Sequence, residues 1–117
     1  LRKPTGTLTF HPSIKWIGET QVNVINLDEF CFDNNINQVD IMWLDMQGSE
    51  NEVIQSSPNI VSKTKYIYSE VSLIEMYEGV PLLEEYKTNM KKIGFEVVWE
   101  DLPWKDMGDV LFENINL

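Results

Sequence analysis

Apolar residues recur along this chain with two different periods, and their succession predicts strands alternating with helices. Thr5 to Phe10 reads as a short strand, and His11 to Thr20, broken by Pro12 and Gly18, reads as a loop. Gln21 to Asn26 alternates around Val22, Val24 and Leu27, which predicts a half-buried strand. Asp28 to Gln38 is polar and asparagine-rich, fitting a loop or a single helical turn.

Val39 to Met46 carries the clearest strand signal. Its continuous run Ile41-Met42-Trp43-Leu44 is the pattern of a strand covered on both faces. Ser49 then offers an N-cap, and Glu52 three residues later completes a capping box. That helix should stop near Ser57-Pro58. Lys65 to Val71 is the next strand, with Ile67 and Val71 on one face and Tyr66 and Tyr68 on the other.

Ser72 to Gly79 is a connection. Pro81 suits a first helical position. Leu82, Leu83, Tyr86, Met90 and Ile93 follow at helical spacing, and Gly94 fits the residue that ends a helix. Phe95 to Glu100 alternates as a strand with Phe95, Val97 and Trp99 together, Leu102 to Gly108 links, and Asp109 to Ile115 is a last strand. Strands joined by helical crossovers imply an α/β fold with a mostly parallel sheet, ending in an antiparallel strand pair at one edge.

Composition changes this picture little, but it narrows the partners. With 117 residues the chain is expected to be a single domain, or part of one. Nine Lys and Arg against nineteen Asp and Glu leave a net charge of −10. Nucleic acids and anionic membranes demand the opposite sign, so neither is an expected partner. No apolar run reaches the length of a membrane span, and no leader pattern stands at Leu1. A single cysteine, Cys31, allows no internal disulfide, so a reducing, cytoplasmic setting is expected.

Candidate chemistry follows from topology. In open α/β sheets, ligands bind outside the carboxyl ends of the strands. Asp45 closes one predicted strand and Glu70 lies near the end of the next, so parallel neighbours would put both carboxylates on one rim. Glu50 stands one step into the following helix. Such carboxylates can accept a hydroxyl proton or hold a divalent cation. Each has a plainer alternative: Asp45 as the start of a turn, Glu50 as a first-turn acid favoured by the helix dipole, Gly48 as a backbone requirement. His11 reads as a surface or packing histidine. Of the four tryptophans, Trp104 is best placed to touch a ligand. The glycines show no nucleotide-binding spacing, and no GxSxG elbow is present.

Two segments, Val24-Ile25-Asn26-Leu27-Asp28-Glu29-Phe30 and Val39 to Glu50 with its Leu44-Asp45-Met46-Gln47-Gly48-Ser49-Glu50, resemble the FkbM-type methyltransferase family. Tyr66 to Val71, Met76-Tyr77-Glu78-Gly79, Ile93-Gly94-Phe95 and Asp109 to Phe112 continue the similarity in order. The resemblance implies part of a Rossmann-like class I methyltransferase sheet, S-adenosylmethionine as cofactor, and O-methylation of a hydroxylated small molecule or sugar. It implies Asp45 and Glu70 as catalytic residues, with Glu50 and Gln47 near the substrate and Asp28 and Gly48 near the cofactor; Trp104 is expected near the substrate from its place in the link alone. Asp45 would be the general base or substrate anchor, with Glu70 and Glu50 in support. The family's glycine-rich donor loop lies before the matching region, so the chain reads as the C-terminal half of the domain. The missing half is then expected from a longer chain or a partner. A non-catalytic module docking through its sheet edge, and a carboxylate metal site of Asp45, Glu50 and Glu70, are the alternatives from other classes.

Overall fold

The computed structural model describes Arg2 to Leu117. Its elements are α1 (Thr7–Phe10), α2 (Leu27–Asp33), β1 (Val39–Leu44), α3 (Glu50–Ser56), α4 (Pro58–Ser62), β2 (Thr64–Ser72), α5 (Leu83–Lys92), β3 (Phe95–Asp101) and β4 (Met107–Asn114). The four strands form one sheet in the order β1-β2-β4-β3. β1 runs parallel to β2, and β4 runs antiparallel to both β2 and β3. The sheet is therefore mixed rather than mostly parallel in its pairing, although β1, β2 and β3 all point the same way. The expected antiparallel pair stands at one edge, with β3 outermost.

One face of the sheet is covered. Met42, Leu44, Ile67, Val71, Val110 and Phe112 meet Cys31 of α2, Ile54 of α3, Ile60 and Val61 of α4, and Tyr86 and Met90 of α5. Ile67, Val110 and Phe112 are wholly buried, and the Tyr86 and Phe112 rings meet edge to face at 5.7 Å. The other face is bare. Trp43 is 73% exposed and Ile41 is also exposed, so β1 is covered on one face only, not on both as its apolar run predicts. A bulge in β3 between Val97 and Trp99 adds to this face. Phe95 and Val97 sit opposite Asn114 and Phe112, on the covered side. The extra residue turns Trp99 over to stand opposite Leu111 and stack on Tyr68 at 6.2 Å.

Other differences have local causes. Gln21 to Asn26 pairs with no strand, and Val24 is 92% exposed: alternation prepares a strand, but only a neighbouring edge completes it. Thr5 to Phe10 is not a strand either. Thr5 and Gly6 donate to the Met76 and Glu75 carbonyls, and Thr7 to Phe10 then close a helical turn. The polar stretch after Leu27 holds a seven-residue helix, because the Asn26 side chain accepts from the Glu29 N–H at its start. A second helix follows Ser57, with Pro58 in its first turn. Pro81 lies before the N-cap rather than inside α5, since Leu82 stays extended in a bridge to Ser72. Gly94, at φ +90°, ends α5 as its spacing predicts.

Because Phe112 joins the sheet to α5, Phe112→Ala is expected to cost about 3–5 kcal/mol, read from urea unfolding. A loss under about 1 kcal/mol would mean that this contact does not hold the layers together.

Candidate active site

Parallel pairing sets the site. Leu44 of β1 is in register with Ser69 of β2, so Asp45 follows Leu44 beside Glu70 at the carboxyl edge. Glu70 is opposite Asp109 of β4, and Asp109 is opposite Asp101 of β3. A row of carboxylates, Asp45, Glu70, Asp109 and Asp101, thus crosses the sheet edge. Asp101 and Asp109 did not stand out in the sequence, because only strand register brings them to Glu70.

These charges have a direct consequence. Glu70 is half-buried, and its carboxyl is pushed up to about 7, first by burial and then by Asp45, Glu50, Asp109 and Asp106. Glu50 is buried, and burial holds its carboxyl above the ordinary range, partly offset by the backbone N–H groups it binds. Its Oε1 accepts from Met46 N–H at 2.6 Å and from Gly48 N–H at 3.4 Å. Glu50 therefore ties the Asp45–Ser49 loop to the start of α3. The expected capping box is not formed: Ser49 makes no side-chain cap bond, and Glu52 pairs with Arg2.

The loop is unusual in its backbone. Gln47 at φ +55° and Gly48 at φ +93° are both left-handed. A Cβ on Gly48 would lie 3.1 Å from the Tyr77 ring, so glycine meets both a conformational and a packing need here. Gln47 donates through Nε2 to Asp45 Oδ1 at 3.0 Å, and Tyr77 donates its hydroxyl to Gln47 Oε1. Tyr77 is a site residue that sequence reasoning missed; its only sequence signal was its place in the Met76–Gly79 segment.

Gly48, Glu50, Asn51, Glu70, Pro81 and Tyr86 line a small cleft behind Asp45. Tyr86 is also new to the site, its hydroxyl 3.1 Å from Ser69 Oγ and its phenol raised by burial. The cavity volume of about 10 Å³ leaves room for about one water molecule. The structure thus gathers Asp45, Gln47, Gly48, Glu50 and Glu70. Trp104 is 59% exposed on the link between β3 and β4, at the same edge but not in the cleft. Asp28 is engaged elsewhere, accepting from the Asn59 and Ile60 N–H groups at the start of α4. His11 lies 2.8 Å from the buried Asp106 carboxylate, a link from the N-terminal loop to the β3–β4 connection.

Among the described residues, no three His, Cys, Asp or Glu side chains are disposed to hold a metal ion, so the metal alternative gains no support. No helix among them is long and apolar enough to cross a membrane.

The raised Glu70 makes a pH prediction with a definite sign. A carboxyl whose folded pKa exceeds its unfolded value binds more protons when folded, so stability falls as pH rises through the interval between them. Thermal stability is expected to fall between about pH 4.5 and about pH 7, and to fall less in Glu70→Gln. An identical pH dependence in both proteins would rule this out. In Glu50→Ala the two loop N–H groups lose their acceptor, at an expected cost of about 1–3 kcal/mol in urea unfolding.

Comparison with known proteins gives the chain a family. The methyltransferase FkbM domain matches residues 2–97. The 2-O-methyltransferase NoeI of Sinorhizobium fredii (strain NBRC 101917 / NGR234) is 32% identical over all 117 residues. The chain spans 47% of that relative's length. No solved structure matches. The matched region holds the whole Asp45–Glu50 loop and Glu70, and on this evidence the chain belongs to the FkbM methyltransferase family.

Proposed function

We propose that the whole protein is an S-adenosylmethionine-dependent O-methyltransferase acting on a hydroxylated small molecule or sugar, and that this segment supplies its acceptor side. The observation that carries the reading is the proximity of Glu70, held near neutrality, to Asp45 on one sheet edge. A base is most effective when its pKa lies near the working pH. Glu70 then takes the hydroxyl proton, and the freed oxygen lone pair would form the new bond to the methyl carbon as the carbon–sulfur bond of the donor breaks and its sulfur leaves as a neutral thioether. Asp45, more exposed and already oriented by Gln47, anchors the hydroxyl. This assigns the base to Glu70, whose carboxyl burial and four neighbouring acids push up towards neutral pH, and leaves Asp45 as the anchor. Family membership supports methyl transfer in general, and the relative's 2-O-methyltransferase activity supports a hydroxyl acceptor.

The residues of the cleft do not by themselves fit the methyl donor. The cleft beside Glu70 has room for about one water and does not enclose a nucleoside, so we assign the donor's pocket to residues that lie outside this cleft. The Rossmann-like arrangement of the complete domain belongs to the same proposal. A second reading, a non-catalytic module docking on a partner, is favoured by the bare sheet face and by the outer edge of β1, which pairs with no strand among the described residues.

With the full-length protein, S-adenosylmethionine and a panel of sugars and small alcohols, methyl transfer to oxygen is expected. Its kcat/KM should rise with pH to a plateau above about 7. Glu70→Gln should lower kcat by about 10²–10⁴-fold. A stable complex by native mass spectrometry, with neither donor binding nor methyl transfer, would favour the docking module instead.

A further inference from the structure

We propose that Tyr77 is a positioning residue for Asp45, acting through the Gln47 side chain. The argument begins with the backbone. Gln47 occupies a left-handed conformation that residues with a side chain rarely adopt, next to a second left-handed residue, Gly48. Such conformations persist only where surrounding contacts over-determine them. Two contacts do so here. Glu50 binds the N–H groups on either side of Gln47 from within the fold. Tyr77 holds the Gln47 side chain, its ring lying against Gly48 and its hydroxyl on Gln47 Oε1.

An amide has distinct ends, and this gives the arrangement its direction. With Oε1 engaged by the phenol, the Gln47 NH₂ must face the other way, and it donates to Asp45 Oδ1 at 3.0 Å. One Asp45 oxygen is thereby occupied and the carboxylate plane is set, leaving the second oxygen for a hydroxyl. Without the phenol, either end of the amide can face Asp45, and one of the two opposes a carbonyl oxygen to a carboxylate. Tyr77 itself is held in place: it is buried, and its backbone bridges to Pro4.

The geometry is independent of the reaction, whereas its catalytic consequence rests on the O-methyltransferase reading, so the test has two arms. In the first, NMR of the full-length protein follows the Gln47 side-chain NH₂. The wild type should show it shifted and slow to exchange with solvent. In Tyr77→Phe, which keeps the ring against Gly48, it should move to solvent-exposed values while the strand amides stay unchanged. An unaltered Gln47 NH₂ overturns the inference. Should Tyr77→Phe disturb the strand amides, Asp45→Asn in the intact fold reads the same bond from its other end, and an unmoved Gln47 NH₂ there overturns it equally.

In the second arm, kinetics of the full-length protein should show kcat lowered about tenfold in Tyr77→Phe, with KM little changed. The same substitution should have no further effect in a Gln47→Ala background, because Tyr77 acts only through Gln47. Independent, additive losses would show that Tyr77 acts by another route and overturn the proposal. A wild type that transfers no methyl group removes the functional reading alone, and the NMR arm still decides the side-chain arrangement.

Discussion

Parallel pairing of β1 with β2 sends both chains out of the sheet at one edge, so Asp45 and Glu70 emerge side by side. Antiparallel β4 then enters at that edge, which adds Asp109 beside Glu70 and Asp101 beyond it. Like charges crowded on a half-buried edge resist ionising together. Glu70, half-buried among them, is raised first by burial and then by these neighbours, and keeps its proton up to about neutral pH. Had β1 run the other way, Asp45 would lie at the far end of the sheet and Glu70 would lose its first charged neighbour.

Behind that edge, the loop from Asp45 to Ser49 is held from two sides. Glu50, buried, binds its N–H groups, while Tyr77 closes over Gly48. The left-handed backbone at Gln47 and Gly48 folds the chain tightly enough for the Gln47 amide to return to Asp45. The orientation of the Asp45 carboxylate therefore depends on Gln47, Glu50 and Tyr77 together. Glu50 has its dipole-favoured place in the first turn of α3, but its main work is on the loop amides.

The sheet is asymmetric in its cover. All of the helices that share its core lie on one face, and the other displays Trp43 beside Tyr68 at 4.9 Å, with Trp99 on Tyr68's other side. Parallel strands are ordinarily buried on both faces, and a bare row of aromatic rings is the kind of surface that seeks a covering layer.

Much was legible from local pattern alone. Periodicity marked β1, β2, α5, β3 and β4 to within a few residues, because strand and helix spacings follow from backbone geometry. The Asp45–Glu50 segment and Glu70 stood out because they fall at strand ends, and the family resemblance rested on the same residues. Cover, pairing and cap partners were decided elsewhere. Whether Gln21–Asn26 becomes a strand depends on an edge that its own residues cannot provide. Glu52 could complete a capping box or meet Arg2, and only the approach of the N-terminal segment settles it. Trp99 changed faces because one extra residue entered β3, and Tyr77 joined Asp45 through a chain of contacts spanning thirty residues. Sequence spacing determines which way a residue points within its own element; which side chains meet across elements is a property of register and packing, and those exist only once the chain has closed on itself.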